Sequence, residues 1–160
     1  MKEIPYNRNA AVDYARIWAL GRNPSYYNFD DVGGDCTNFV SQCIYAGAQT
    51  MNYTSVFGWY YRSSYDRTAS WSGVEYLYKF LVNNMGLGPY ASLVPQEEAK
   101  PGDVVQLGTA SGEFYHGAII TAVMPVIKVA AHTDDALDRT LNSYDYERAR
   151  FLHIEGVRIR

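Results

Sequence analysis

Cysteine and histidine are scarce in this chain, two of one and three of the other among 160 residues. Cys36 and Cys43 stand seven positions apart, which on a helix rising about 1.5 Å per residue separates their Cα atoms by about 10 Å. A disulfide needs about 7 Å or less, so each is read as a free thiol. No Cys/His spacing of the zinc-binding kind occurs, and neither a metal nor a cofactor is expected. No apolar run is long enough to cross a bilayer. Met1-Lys2-Glu3-Ile4-Pro5 lacks the apolar stretch of a secretory signal. A net charge of -3 offers nucleic acid no basic surface. Internal repeats and low-complexity linkers are absent too, so a single domain over residues 1–160 is the simplest organisation.

Aromatic residues are what the chain has in plenty. Fifteen of its residues are tyrosine, and many gather with tryptophan and phenylalanine between Tyr53 and Tyr65. Around that cluster the spacing predicts three helices. The first runs from Ala10 to Leu20, capped by Asn9 and stopped by Gly21 and Pro24. A second starts at Cys36, with Phe39, Val40, Cys43 and Ile44 on one face, Asp35 as N-cap and Gly47 as the stop. The third begins at Ser72-Gly73-Val74-Glu75, a capping-box pattern, and ends before Gly86, Gly88 and Pro89. Beyond Lys100 the pattern turns to strands: Val104 to Leu107, Gly117 to Val123, Val126 to Ala131 and Phe151 to Ile159. Helices first and strands afterwards predict an α+β domain with the helices packed on an antiparallel β-sheet.

Cys36 carries the chemical interest. Behind Gly33 and Gly34 it falls in the first turn of its helix, where unpaired N–H groups and the helix dipole favour an anion. Thiols in such places become nucleophiles, although a cysteine taken alone is as easily a small buried residue. A cysteine nucleophile needs a base and something to orient that base. His116, at the start of an apolar strand behind the polar loop Ser111 to Tyr115, is the better placed of the histidines. Met124-Pro125 makes a poor two-residue turn, because proline cannot adopt positive φ. A three-residue connection places His132 opposite His116 or Ala118, on the face of His116 either way. A two- or four-residue connection reverses that face. Asp134, Asp135 and Asn142 are alternatives for the orienting role, and His153 reads as a partly exposed strand residue.

Three segments taken together resemble a known family. Pro5 to Ala15, then Asn23-Pro24, then Gly34-Asp35-Cys36-Thr37-Asn38-Phe39-Val40-Ser41-Gln42 are similar to the bacterial "putative amidase domain" family, related to the NlpC-like and CHAP cell-wall cysteine peptidases. Pro101-Gly102-Asp103-Val104-Val105, His116-Gly117-Ala118-Ile119-Ile120 and Ala131-His132-Thr133-Asp134 extend the likeness in the same order. The resemblance implies a reduced papain-like fold with Cys36 as nucleophile, His116 as general base and His132 as its orienting partner. It implies an oxyanion hole from the Cys36 N–H and a polar neighbour, Tyr27 or Asp35, with Asp134 in support. Asn38 and Gln42, further into the helix, are read as structural hydrogen-bonders. The implied substrate is the peptide stem of peptidoglycan, bound with help from Trp59, Tyr60, Tyr61 and Tyr115 by a monomer in the cell envelope or outside the cell. An acyltransferase using the same pair, or a wall-binding module without turnover, are the alternatives.

Overall fold

A computed structural model describes all 160 residues. Four helices and nine strands follow one another along the chain: β1 (Lys2–Ile4), α1 (Arg8–Trp18), α2 (Cys36–Ala48), β2 (Tyr61–Ser63), β3 (Asp66–Arg67), α3 (Ala69–Ser72), α4 (Val74–Asn83), β4 (Gly88–Val94), β5 (Val104–Gly108), β6 (Phe114–Ala122), β7 (Lys128–Ala131), β8 (Ala136–Thr140) and β9 (Arg148–Ile159). Seven strands form one antiparallel sheet in the order β1-β9-β5-β6-β7-β8, with β4 also paired to the long β9. The domain is α+β, and none of its helices is long and apolar enough to cross a membrane.

Two apolar clusters lie on opposite faces of the sheet. The larger joins Phe39, Val40, Cys43 and Ile44 of α2 to Trp59, Trp71, Leu77 and Leu81 and to Val104, Ile119, Ala130, Leu152 and Ile154 of the strands. The smaller gathers the alternate strand residues, Val105, Leu107, Ala118, Ile120, Val129 and Phe151, as the two-residue period of a strand requires.

Local chemistry moves several predicted boundaries. The first helix starts earlier than Ala10, because Asn7 and not Asn9 caps it, accepting a bond from the Ala10 N–H at 3.0 Å. Gly47 does not stop α2, which ends beyond it at Gln49 in the left-handed region. Gly47 serves close approach instead, since a Cβ there would lie 2.6 Å from the Asn7 carbonyl. The predicted capping box is not formed: Gly73 divides α3 from α4, and Glu75 pairs with Arg150 at 2.9 Å.

One difference decides the site. Near the turn, Ala122 pairs with Lys128, which has the expected parity. Thr121 is then an extra residue in β6, so that Ile120 faces Val129 and Ile119 faces Ala130. Such a bulge exchanges the faces of everything beyond it. Continued, this register sets Gly117, not His116, opposite His132. His132 therefore points to the helices, its ring stacked on Phe39 with centroids 4.0 Å apart. His116 pairs with Leu107 and so shares the opposite face with Ala118.

Candidate active site

The approach to Cys36 is built from two glycines in succession at positive φ, Gly33 at 82° and Gly34 at 95°. Side chains resist that conformation, and the pair turns the chain sharply into α2. Asp35 follows in the N-cap position, but its side chain bonds no first-turn N–H. Its Oδ1 accepts from the Phe29 N–H at 2.8 Å and from the Asn38 amide at 2.9 Å, and Oδ2 accepts from His132 Nδ1 at 2.5 Å. Arg22 adds an ion pair at 3.6 Å. Burial alone would push this carboxyl up, but the bonds from His132, Phe29 and Asn38 outweigh it and hold the group below its ordinary range. An ionised acceptor cannot donate to an oxyanion, so Asp35 is a support of the helix head and not an oxyanion donor. Because its side chain is turned to other partners, the first-turn N–H groups beside Cys36 stay uncapped.

His132 does not orient His116. Its Nδ1 donates to Asp35 and its Nε2 donates to the Trp18 carbonyl at 2.9 Å. Both nitrogens are turned to these partners, and the buried ring ties α1, α2 and the end of β7 together.

His116 has a different environment. It is buried, and its Nε2 has no hydrogen-bond partner. Burial first, then the Arg139 charge, hold this imidazole below the ordinary histidine range, with Asp134 acting the other way. Its ring lies 5.6 Å from that of Tyr144. β6 runs beside α2, where a Cβ on Gly117 would meet Val40 Cγ2 at 4.0 Å, and the approach to α2 lies beside the turn after β7, where a Cβ on Gly34 would meet Thr133 Oγ1 at 3.5 Å. The contact made by Cys36 Sγ is to Thr37 Oγ1 at 3.9 Å, with neither histidine hydrogen-bonded to it. Cys43 lies deeper in the core, and burial pushes its thiol well up, so Cys36 is the thiol suited to chemistry.

Residues 5–154 match the family described as "Putative amidase domain". The chain belongs to that family. It is 33% identical over 154 residues to "Uncharacterized protein YhbB" of Bacillus subtilis (strain 168), covering 91% of this chain and 46% of that protein. The chain thus spans about half the length of the curated relative it matches. No solved structure matches it.

In this amidase domain the other predicted residues fall into distinct settings. Trp59 is fully buried and donates its indole N–H to Ser41 Oγ at 3.1 Å, so it is core and not a binding platform. Tyr60 bonds Asp66 at 2.9 Å, and the Tyr61 hydroxyl accepts from the Tyr27 N–H at 2.7 Å. Tyr115 is exposed and donates to the Asp145 carbonyl. Tyr27 carries an exposed ring and its carbonyl accepts from Asn38. Asp134 and Asn142 are exposed, and Asp135 is paired with Arg22 at 2.9 Å. Asn38 and Gln42 are structural, as read: Asn38 accepts from the Trp71 indole at 3.0 Å and Gln42 from the Tyr14 hydroxyl at 2.5 Å. His153 donates to the buried Asp103 carboxylate at 2.7 Å, which Arg8 also engages at 2.7 Å. A cavity of about 560 Å³ lies between Val56-Phe57 and α4 and touches neither Cys36 nor His116.

Proposed function

We propose that this domain is a cysteine amidase or peptidase that hydrolyses amide bonds in the peptide stems of bacterial peptidoglycan. The observation that carries the reading is Cys36 at the uncapped head of α2, a helix packed against β6 where Gly117, the residue after His116, faces Val40. The family description supports amide-bond hydrolysis. The motif likeness to NlpC-like and CHAP peptidases supports the cysteine mechanism, a reduced papain-like fold, the wall substrate and a place in the cell envelope or outside the cell.

In this mechanism His116 removes the proton of the Cys36 thiol as sulfur attacks the amide carbon. A ring held below the ordinary histidine range is neutral at pH 7 and able to accept that proton. The tetrahedral oxyanion rests against the uncapped N–H groups of the first turn, with the Tyr27 hydroxyl as a further donor. The His116 imidazolium then gives its proton to the departing amine, and water, deprotonated by the same ring, cleaves the thioester to the free acid. Substrate binding brings Sγ and the imidazole into contact, as catalytic hydrogen bonds often tighten only in the complex. Tyr60, Tyr61 and Tyr115 are the proposed binding rings for the wall fragment.

Digestion of purified peptidoglycan with wild type and Cys36→Ala, read by mass spectrometry, tests this. Fragments released by wild type alone support the reading, and their new ends name the bond. Acyl groups moved to an added amine in place of water point to the acyltransferase. No cleavage by either protein overturns the wall-substrate reading.

A further inference from the structure

We infer that Tyr144 is the positioning residue of His116, accepting the Nε2 hydrogen on its hydroxyl oxygen and leaving Nδ1 bare for the thiol proton. This rests on the roles proposed for Cys36 and His116. The base of such a pair needs a partner on its far nitrogen, or its tautomer and ring angle are unset. His132 cannot be that partner, since both its nitrogens are bonded elsewhere. Asp135 is held by Arg22, while Asp134 and Asn142 stand exposed.

What the structure does place beside His116 is a second deficit of the same kind. His116 Nε2 and Tyr144 Oη are both sealed from solvent, and both lack a hydrogen-bond partner. Their rings are 5.6 Å apart and tilted by 35°. Buried polar groups without partners are rare and costly, and one bond between these two removes both deficits. That bond is made directly or through one bridging water. Arg139 holds the tyrosine in place, its guanidinium 3.6 Å over the ring and its Nε donating to Ser143 Oγ at 2.7 Å. Burial keeps the phenol neutral, so its oxygen accepts from the imidazole. The charged groups facing this pair are Arg139 of β8 and Asp134 of the turn after β7. With an N–H on the far side, the near nitrogen has a lone pair, which is the state a general base requires.

The test reads the imidazole before it reads activity. In ¹⁵N spectra of wild type, His116 is expected as the Nε2–H tautomer with a slowly exchanging hydrogen. Tyr144→Phe is expected to mix the tautomers, to speed that exchange at least about tenfold and, by stranding Nε2, to lower the melting temperature by a few degrees. Alkylation of Cys36 by iodoacetamide at neutral pH should slow by about tenfold in the same variant. Where turnover is measurable, kcat should fall without a change in KM. A wild-type His116 found as the Nδ1–H tautomer overturns the inference with no variant needed, and so does a Tyr144→Phe protein whose tautomer and alkylation rate match wild type. Failure to digest peptidoglycan, with the Nε2–H state present and lost in Tyr144→Phe, removes the substrate and leaves Tyr144 in its role.

Discussion

Two of the three histidines are bound to buried carboxylates, and the third is bound to none. His132 gives its hydrogens to Asp35 and the Trp18 carbonyl, and His153 gives one to Asp103. Asp103 in turn receives Arg8 at 2.7 Å and the N–H groups of Lys100 and Ile154, each at 2.9 Å. Both carboxylates are saturated, and both join segments distant in sequence. His116 is buried too, less deeply than His132 and more deeply than His153, yet its Nε2 is unpaired. A buried imidazole whose bonds are all satisfied is a brace. One kept neutral and short of a partner retains a proton affinity that a substrate can use.

The sharpest way to break this contrast is to delete each ring in turn. His116→Ala should cut amidase turnover by about 10²–10⁴-fold and leave thermal unfolding nearly unchanged, as assay and calorimetry together would show. Asp35→Ala should do the reverse in kind, destabilising by about 3–5 kcal/mol in denaturant titration because it strands His132 Nδ1, the Phe29 N–H and the Asn38 amide in the core. His153→Ala, at a partly solvated site, should cost about 1–3 kcal/mol and leave turnover unaffected. Stability against pH then separates the two kinds of site. The His116 ring is depressed in the fold, so the folded state binds its proton less readily than the unfolded chain. Its contribution is complete above about pH 6.5 and declines as pH falls below that. The Asp35 carboxyl is also depressed, so its contribution is complete above about pH 3.9 and is lost below it. His116→Ala should remove the upper step and spare the lower. The smallest effect is expected at Ser41→Ala, about 1 kcal/mol for the lost Trp59 bond.

Much of this was legible in the sequence. The start of α2 at Cys36 was marked by the glycine pair before it and the apolar spacing after it. The strands at Val104, Gly117 and Phe151 were marked by β-branched runs. The sheet edges were not legible. Gly88 and Pro89 read as the end of a helix but open β4, which lies against β9, and Pro89 sits opposite Val157. The segment after His132 read as a solvated loop, yet Ala136–Thr140 is the outermost strand, its Asp138 paired with Arg16 at 2.6 Å. Outer strands need no apolar alternation on both faces, so periodicity misses them. The exchange of faces between His116 and His132 turns on one bulged threonine, whose hydroxyl donates to Asp138 at 2.7 Å. Tyr144 was invisible for another reason: among fifteen tyrosines, only its neighbours in space distinguish it.

The polar stripe along α2 has a consequence for experiment. Ser41 and Asn38 each hold an indole N–H, that of Trp59 and that of Trp71, and the two rings lie 4.7 Å apart. Any rotation or slide of the helix that carries Cys36 must stretch one of these bonds or alter the coupling between the rings. The domain therefore carries a built-in optical gauge: tryptophan emission and exciton signal, followed in a stopped-flow cell without any label, would time any shift of Cys36 as substrate arrives.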